Sequence, residues 1–147
     1  MLKYVTIFQN IKETSTPFFR DVSVILDRVK EGASKDLVKR IRSEKKKPER
    51  NELKKLLPAI CFSGTFNKRS DDAITEHSGL ICLDFDGYER QKDLLNDKET
   101  FTKNKYVYSV FISPSGNGLK VLVKIPADAE NHTNHRRENC SDRADQE

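Results

Sequence analysis

The chain has no tryptophan, one methionine, six glycines and three cysteines among its 147 residues. Charged residues make up 34% of it and hydrophobic residues 35%, with a mean hydropathy of −0.73. No apolar run approaches the roughly 20 residues that a membrane-spanning helix needs. The N-terminus also lacks the apolar core and cleavage site of a signal peptide. We therefore expect no membrane partner and a single polar domain in the cytoplasm.

The cysteines do not predict a disulfide framework. Their number is odd, and Cys61 and Cys82 lie inside apolar runs, where a cysteine acts as a small buried hydrophobe. Near the C-terminus, His132, His135 and Cys140 are potential zinc ligands, but their spacing is loose and the surrounding segment is polar. We expect reduced thiols and no zinc site.

Positive charge is concentrated in one segment. Residues 39–55 contain nine Lys or Arg and three Glu, although the net charge of the whole chain is only +4. A segment of this density can contact a nucleic-acid backbone. A solvated helix surface explains the same pattern, so the segment is supporting evidence only. The candidate nucleic-acid contacts are Arg40, Arg42, Lys45, Lys46 and Lys47.

Apolar periodicity in the first half predicts one strand followed by helices. Residues 4–8 alternate as a strand does, and a polar turn region follows. Helical spacing begins at Val22, and Gly32 stands where such a helix would end. A second helix would be capped by Ser34. A third, short helix fits within residues 48–58, which begin and end with proline.

The second half predicts mainly strands. Residues 59–62 form a short apolar run, and the nearly continuous apolar run at 80–85 predicts a central strand covered on both faces. A short helix fits residues 88–95. Two further strand-like runs, 106–112 and 119–125, predict a β-hairpin because a glycine-containing loop separates them.

This order of elements predicts an α+β fold with one mostly antiparallel sheet and helices packed on it. We assign residues 1–127 to one domain. Residues 128–147 are almost free of apolar side chains, so we expect a polar, disordered tail there.

Two carboxylates end the apolar run at 80–85. Side chains two residues apart on a strand share a face, so Asp84 and Asp86 should project together. Two neighbouring acids repel each other unless a cation neutralises them, and hard oxygen ligands suit Mg²⁺ or Mn²⁺. They are therefore candidate metal ligands and catalytic residues, with a solvated strand end as the simpler alternative.

The hairpin loop supplies a second candidate site. Glycines at 116 and 118 let the backbone approach an anion, the hydroxyls of Ser113 and Ser115 can donate hydrogen bonds, and Lys120 adds a point charge. Ser113, Ser115, Gly116, Gly118 and Lys120 are thus candidate nucleotide-binding residues. Ordinary turn chemistry explains the loop equally well by itself. Together with the acids, the loop points to phosphoryl or nucleotidyl transfer.

Both motifs resemble those of archaeo-eukaryotic-type primases and primase-polymerases. Leu-Ile-Cys-Leu-Asp-Phe-Asp at residues 80–86 is similar to their first motif, and Pro-Ser-Gly-Asn-Gly-Leu-Lys at 114–120 to their second. The closer resemblance, over residues 4–126, is to the BT4734-like or VirE N-terminal domain of phages and mobile elements. It includes Leu-Pro-Ala-Ile-Cys-Phe-Ser-Gly-Thr-Phe at 57–66 and His-Ser-Gly at 77–79.

The resemblance implies an RRM-like primase palm that binds nucleotide triphosphate, a divalent metal and template DNA, with a replicative helicase as partner. Lys120 stands where most of the superfamily has a histidine, and lysine is a poor substitute for imidazole in acid–base chemistry. The family's third motif is a carboxylate on a later strand, and the polar tail has no apolar run to carry one. We expect a palm truncated at its C-terminus and inactive alone, unless Asp128 or Asp142 substitutes.

Two other functions fit the motifs. The chain could be a non-catalytic, nucleic-acid-binding or regulatory remnant of the primase fold. The segment Leu-Asp-Phe-Asp-Gly at residues 83–87 also resembles the nucleophile loop of haloacid-dehalogenase-type phosphatases. A parallel sheet with a crossover helix after Asp86 would favour the phosphatase, and an antiparallel hairpin beside Asp84 would favour the primase.

Overall fold

The structure, a computed structural model, describes residues 2–127. Within that range it contains eight β-strands and four α-helices. The strands are β1 (Tyr4–Phe8), β2 (Phe18–Asp21), β3 (Ala59–Cys61), β4 (Gly64–Phe66), β5 (Ile74–His77), β6 (Leu80–Phe85), β7 (Val107–Ile112) and β8 (Leu119–Lys124). The helices are α1 (Val22–Glu31), α2 (Lys35–Ser43), α3 (Lys47–Lys54) and α4 (Gln91–Thr102).

The strands form three antiparallel sheets, ordered β2-β1-β3, β4-β5 and β6-β8-β7. This confirms the predicted α+β class and the antiparallel pairing, although the strands are divided among three sheets rather than gathered in one. Strands β2, β4 and β5 are not predicted by the sequence pattern. Each has three or four residues and lies in a segment that reads as turn or polar loop, so pairing with a neighbour decides its conformation.

The first helices begin and end close to the predicted positions. Asp21 caps α1 by accepting a hydrogen bond from the backbone N–H of Ser23, and Gly32 ends the helix in the left-handed conformation, with φ of 72°. Ser34 occupies the N-cap position of α2, but its side chain makes no capping bond. Pro48 lies in the first turn of α3, where its missing N–H costs nothing.

The third sheet contains the candidate site. Strands β6 and β7 both run antiparallel to β8, which lies between them, so they are parallel to each other and connected by α4. This arrangement is a split βαβ unit. α4 extends beyond the predicted 88–95 into a polar stretch. The full RRM-like palm stays a prediction, because the described residues supply only this β-α-β-β portion of it.

The prediction that β6 is a central strand is wrong, since in the described residues it pairs only with β8. It is nevertheless apolar on both faces, because its alternating side chains enter two different hydrophobic clusters. Leu80 and Cys82 pack in the cluster that contains Val5 of β1 and Ile25 of α1. Leu83 packs with Phe85 in the other cluster, around α4 and the hairpin.

No helix in residues 2–127 is both long and apolar enough to cross a membrane. The predicted tail at 128–147 lies outside the described residues. The same holds for the candidate zinc ligands and for the substitute acids, namely His132, His135, Cys140, Asp128 and Asp142. The domain boundary at residue 127 accordingly stays a prediction.

Candidate functional site

Pairing of β6 with β8 brings the Asp-x-Asp motif and the hairpin loop together. The register places Asp84 opposite Lys120 and Phe85 opposite Leu119. Beyond the strand end, the backbone N–H of Tyr88 donates to the carbonyl of Asn117 over 3.0 Å. The two motifs, some 30 residues apart in sequence, therefore form one end of a single sheet.

The closest charged contact at this end joins Lys120 to Asp84. Lys120 Nζ donates to Asp84 Oδ1 over 2.6 Å, and the two side chains are 32% and 29% exposed. Cross-strand pairing explains the contact, since directly opposed residues lie on the same face of a sheet. In this structure Lys120 thus supplies part of the positive charge that the two acids require.

Asp86 lies one residue beyond β6 and reaches the loop at Gly118. A Cβ atom added to Gly118 would lie 2.6 Å from Asp86 Oδ1, 2.8 Å from the Phe85 carbonyl oxygen and 3.0 Å from Ser113 Oγ. Such distances leave no room for a side chain. Three oxygen atoms of different residues therefore converge around Gly118, which explains physically why glycine is required there.

The hydroxyl of Ser113, one of the three oxygens around Gly118, is buried. The residue is 5% exposed, and its Oγ has no hydrogen-bond partner among the described residues. Buried hydroxyls normally have a partner, so this one is available to a ligand or water. Ser115 is half-buried in the same loop.

The loop backbone is a closed turn. Ser113 N–H donates to the Gly118 carbonyl over 2.8 Å, and Gly116 N–H donates to the Ser113 carbonyl over 2.9 Å. Gly116 adopts φ of 83°, a conformation that other residues rarely tolerate. The backbone N–H of Gly116 is therefore already hydrogen-bonded within the turn and is not a free donor. Because this glycine has no side chain, it can still let a ligand come close to the loop backbone.

Arg42, one of the candidate nucleic-acid contacts, reaches the loop from α2. Its Nε donates to the Pro114 carbonyl and its Nη2 to the Ser113 carbonyl, each over 3.3 Å. A Cβ atom on Gly116 would lie 3.2 Å from Arg42 Nε. No sequence signal predicts this contact, because the partners are about 70 residues apart and only packing brings them together.

The other candidate nucleic-acid contacts are exposed side chains on or between α2 and α3. Lys46 makes a 3.8 Å ion pair with Glu49, which is also exposed. Exposed pairs of this kind contribute little stability. The described contacts therefore leave these side chains on the surface, as the prediction requires.

Two residues beside the site have raised pKa values. Burial raises the pKa of the Cys82 thiol to about 11. Two smaller effects act in opposite directions, since the charge of Lys120 lowers this pKa and the charge of Asp84 raises it. Cys82 is accordingly a neutral thiol near neutral pH and a poor metal ligand or nucleophile. Burial, together with the hydrogen bond that its hydroxyl donates to Asp97, raises the pKa of Tyr88 to about 12. Both groups stay protonated at neutral pH.

The donor set fits a hard divalent cation. The oxygens that converge around Gly118 come from Asp86, the Phe85 carbonyl and Ser113, and Asp84 lies two residues before Asp86 at the end of β6. Mg²⁺ and Mn²⁺ prefer oxygen ligands. Residues 2–127 contain no group of three or more His, Cys, Asp or Glu side chains placed to hold a metal ion. A cation held by Asp84 and Asp86 would therefore have two carboxylate ligands from the described residues and would need waters or substrate phosphates as its other ligands.

Comparison with known proteins gives one family match. The BT4734-like, N-terminal domain family matches residues 52–145, a range that contains Asp84, Asp86 and the hairpin loop but not α2. No curated protein and no solved structure matches the chain. The match covers more than half of the sequence, and the chain therefore belongs to the BT4734-like N-terminal domain family.

Proposed function

We propose that this protein is a primase-type nucleotidyltransferase domain that binds a nucleotide triphosphate and a divalent metal during replication of a phage or mobile element. The observation that carries the proposal is the β6-β8 register, which opposes Asp84 and Lys120 and sets the Asp-x-Asp end beside the glycine loop. Metal-binding acids next to an anion-binding loop are the parts that phosphoryl and nucleotidyl transfer require.

In this proposal Asp84 and Asp86 hold Mg²⁺ or Mn²⁺. When bound, the metal neutralises phosphate charge and favours ionisation of an attacking hydroxyl. The hydroxyls of Ser113 and Ser115 donate to phosphate oxygens, and Gly116 and Gly118 keep the loop free of side chains. Since Lys120 is in contact with Asp84, it lies within reach of any phosphate bound at those acids.

The exposed basic residues of α2 and α3 are proposed to guide template DNA. Lys45, Lys46 and Lys47 follow one another from the connection after α2 into the first residue of α3, so their charges act as a cluster on a nucleic-acid backbone. A replicative helicase is the partner that the primase resemblance suggests.

The second candidate is a non-catalytic domain that binds nucleotide or nucleic acid without turnover. Two observations favour it. Lys120 replaces the expected histidine and is paired with Asp84, and the described residues contain no third carboxylate at the site. The phosphatase alternative receives less support. A helix, α4, does follow Asp86, but β6 pairs antiparallel with a hairpin strand beside Asp84 and not with a parallel neighbour.

Metal-dependent binding of a fluorescent deoxynucleoside triphosphate tests the proposed site. We expect the wild-type chain to bind it in Mn²⁺ and to lose binding in EDTA. Asp84→Ala combined with Asp86→Ala should abolish the metal-dependent part. The matched control is Asp27→Ala with Glu31→Ala, which removes the same charge from the exposed face of α1. Equal binding by the wild type and the site variant would refute the assignment.

Primer synthesis on single-stranded DNA separates the two candidates. The nucleotidyltransferase should extend or initiate primers in Mn²⁺, whereas the non-catalytic domain should bind nucleotide without incorporation. A longer version of the protein with about 30 to 60 further C-terminal residues, enough for another strand and helix, tests whether a third carboxylate restores synthesis.

A further inference from the structure

Two cations lie at the hairpin loop, and their surroundings differ. Lys120 Nζ is 2.6 Å from a carboxylate oxygen of Asp84, so much of its charge is balanced. The guanidinium of Arg42 contacts backbone carbonyls, and none of the ion pairs among the described residues includes it. The unbalanced positive charge at the loop therefore belongs to Arg42.

We infer that Arg42 is a further residue that binds the phosphates of the nucleotide, beside the loop hydroxyls and Lys120, an inference that rests on the proposed function. A guanidinium has five N–H donors in a planar fork. The two loop contacts engage Nε and Nη2 and leave the donors of Nη1 for an anion. Arg42 can thus hold the turn and contact a phosphate oxygen together, whereas a lysine ammonium could not present the same fork.

The position of Arg42 gives the segment before the family match a role in the site. Residues 52–145 match the family, and Arg42 lies on α2, outside this range. Its helix contributes a buried anchor, Ile41, next to the arginine in sequence. The buried neighbour fixes α2 on the core, and this anchoring holds the exposed arginine at the loop.

Titration of each variant with labelled dATP in Mn²⁺, and competition by inorganic tripolyphosphate, test the inference. Loss of a charge-assisted hydrogen bond weakens binding by about tenfold to a hundredfold. We expect Arg42→Ala to show this loss for both probes and Arg42→Lys to recover part of it. Arg42→Ala should weaken dAMP binding less than dATP binding, since fewer phosphates are involved. A purely structural change of the loop would weaken both nucleotides alike.

Arg28→Ala is the matched control, since it removes an exposed arginine from α1. Its dATP affinity should stay within twofold of the wild type. Mn²⁺ binding followed by electron paramagnetic resonance should be unchanged in Arg42→Ala, which would show that the variant is folded with its acids in place. Wild-type affinity in Arg42→Ala, or an equal loss in Arg28→Ala, would overturn the inference alone. Failure of the wild type to bind dATP would overturn the proposed function and the inference together.

Discussion

Substitution of Gly118 by alanine is the most direct test of the geometry at the candidate site. The added Cβ would lie 2.8 Å from the backbone carbonyl oxygen of Phe85 and 2.6 Å from Asp86 Oδ1. The Asp86 side chain can rotate away, but the carbonyl belongs to the end of β6 and cannot move without disturbing the hairpin. Overpacking of this kind costs about 1–3 kcal/mol.

The cost should appear both in stability and in ligand binding. For a chain of this size, each kcal/mol lowers Tm by about 2–4 °C, so Gly118→Ala should melt about 2–12 °C below the wild type. Displacement of Asp86 and of the Ser113 hydroxyl should also weaken Mn²⁺-dependent dATP binding. Differential scanning calorimetry and nucleotide titration measure the two effects.

Gly32→Ala separates a local effect at the site from general destabilisation. Gly32 has φ of 72° at the end of α1, so alanine there is strained by about 1–2 kcal/mol without touching the hairpin. We expect a comparable fall in Tm with unchanged nucleotide affinity. The reasoning would be refuted if Gly118→Ala melted within 1 °C of the wild type, or if both variants bound nucleotide equally well.

Two further predictions concern titration and salt. The folded pKa of Cys82 is about 11 against an ordinary 9.0, so its contribution to stability is complete below pH 9 and disappears as pH rises towards 11. The free energy of unfolding should fall by roughly 1 kcal/mol between pH 8 and 10 on this account, and urea unfolding of Cys82→Ala should lack that part of the decrease; an identical decrease in both proteins would contradict the assignment. Alanine at residues 45–47 should weaken DNA binding and reduce the slope of log K against log salt by about 0.9 for each phosphate that the variant no longer neutralises. The matched control replaces three exposed or half-exposed lysines in and after α4, and equal slopes in the two triple variants would argue against a local interaction with DNA. The control variant carries alanine at Lys92, Lys98 and Lys105.

The sequence predicted elements well where apolar periodicity was strong. Helix α1 begins at Val22 as predicted, and its end at Gly32 is a local property of glycine. The strand at residues 80–85 was also predicted correctly, but its place in the sheet was not. An apolar run shows that both faces are covered, and it does not distinguish a central strand from an edge strand that enters two clusters.

Site residues were predictable when their motif was continuous in sequence. Asp84 and Asp86 stand out because two acids end an apolar strand, and the loop stands out by its glycines. The Asp84 to Lys120 pair and the role of Gly118 beside Asp86 depend on strand register, which local patterns specify weakly. Arg42 was identified only as one charge among many.

The sequence by itself determined the α+β class, the first helices, the strand that ends in two acids and the hairpin that carries the glycine loop. These features follow from local periodicity and from the backbone freedom of glycine. Only the tertiary structure decided that Lys120 pairs with Asp84 and that Arg42 contacts the loop. Both contacts join residues more than 30 positions apart, where side-chain packing and sheet register, rather than neighbouring residues, determine which charges meet.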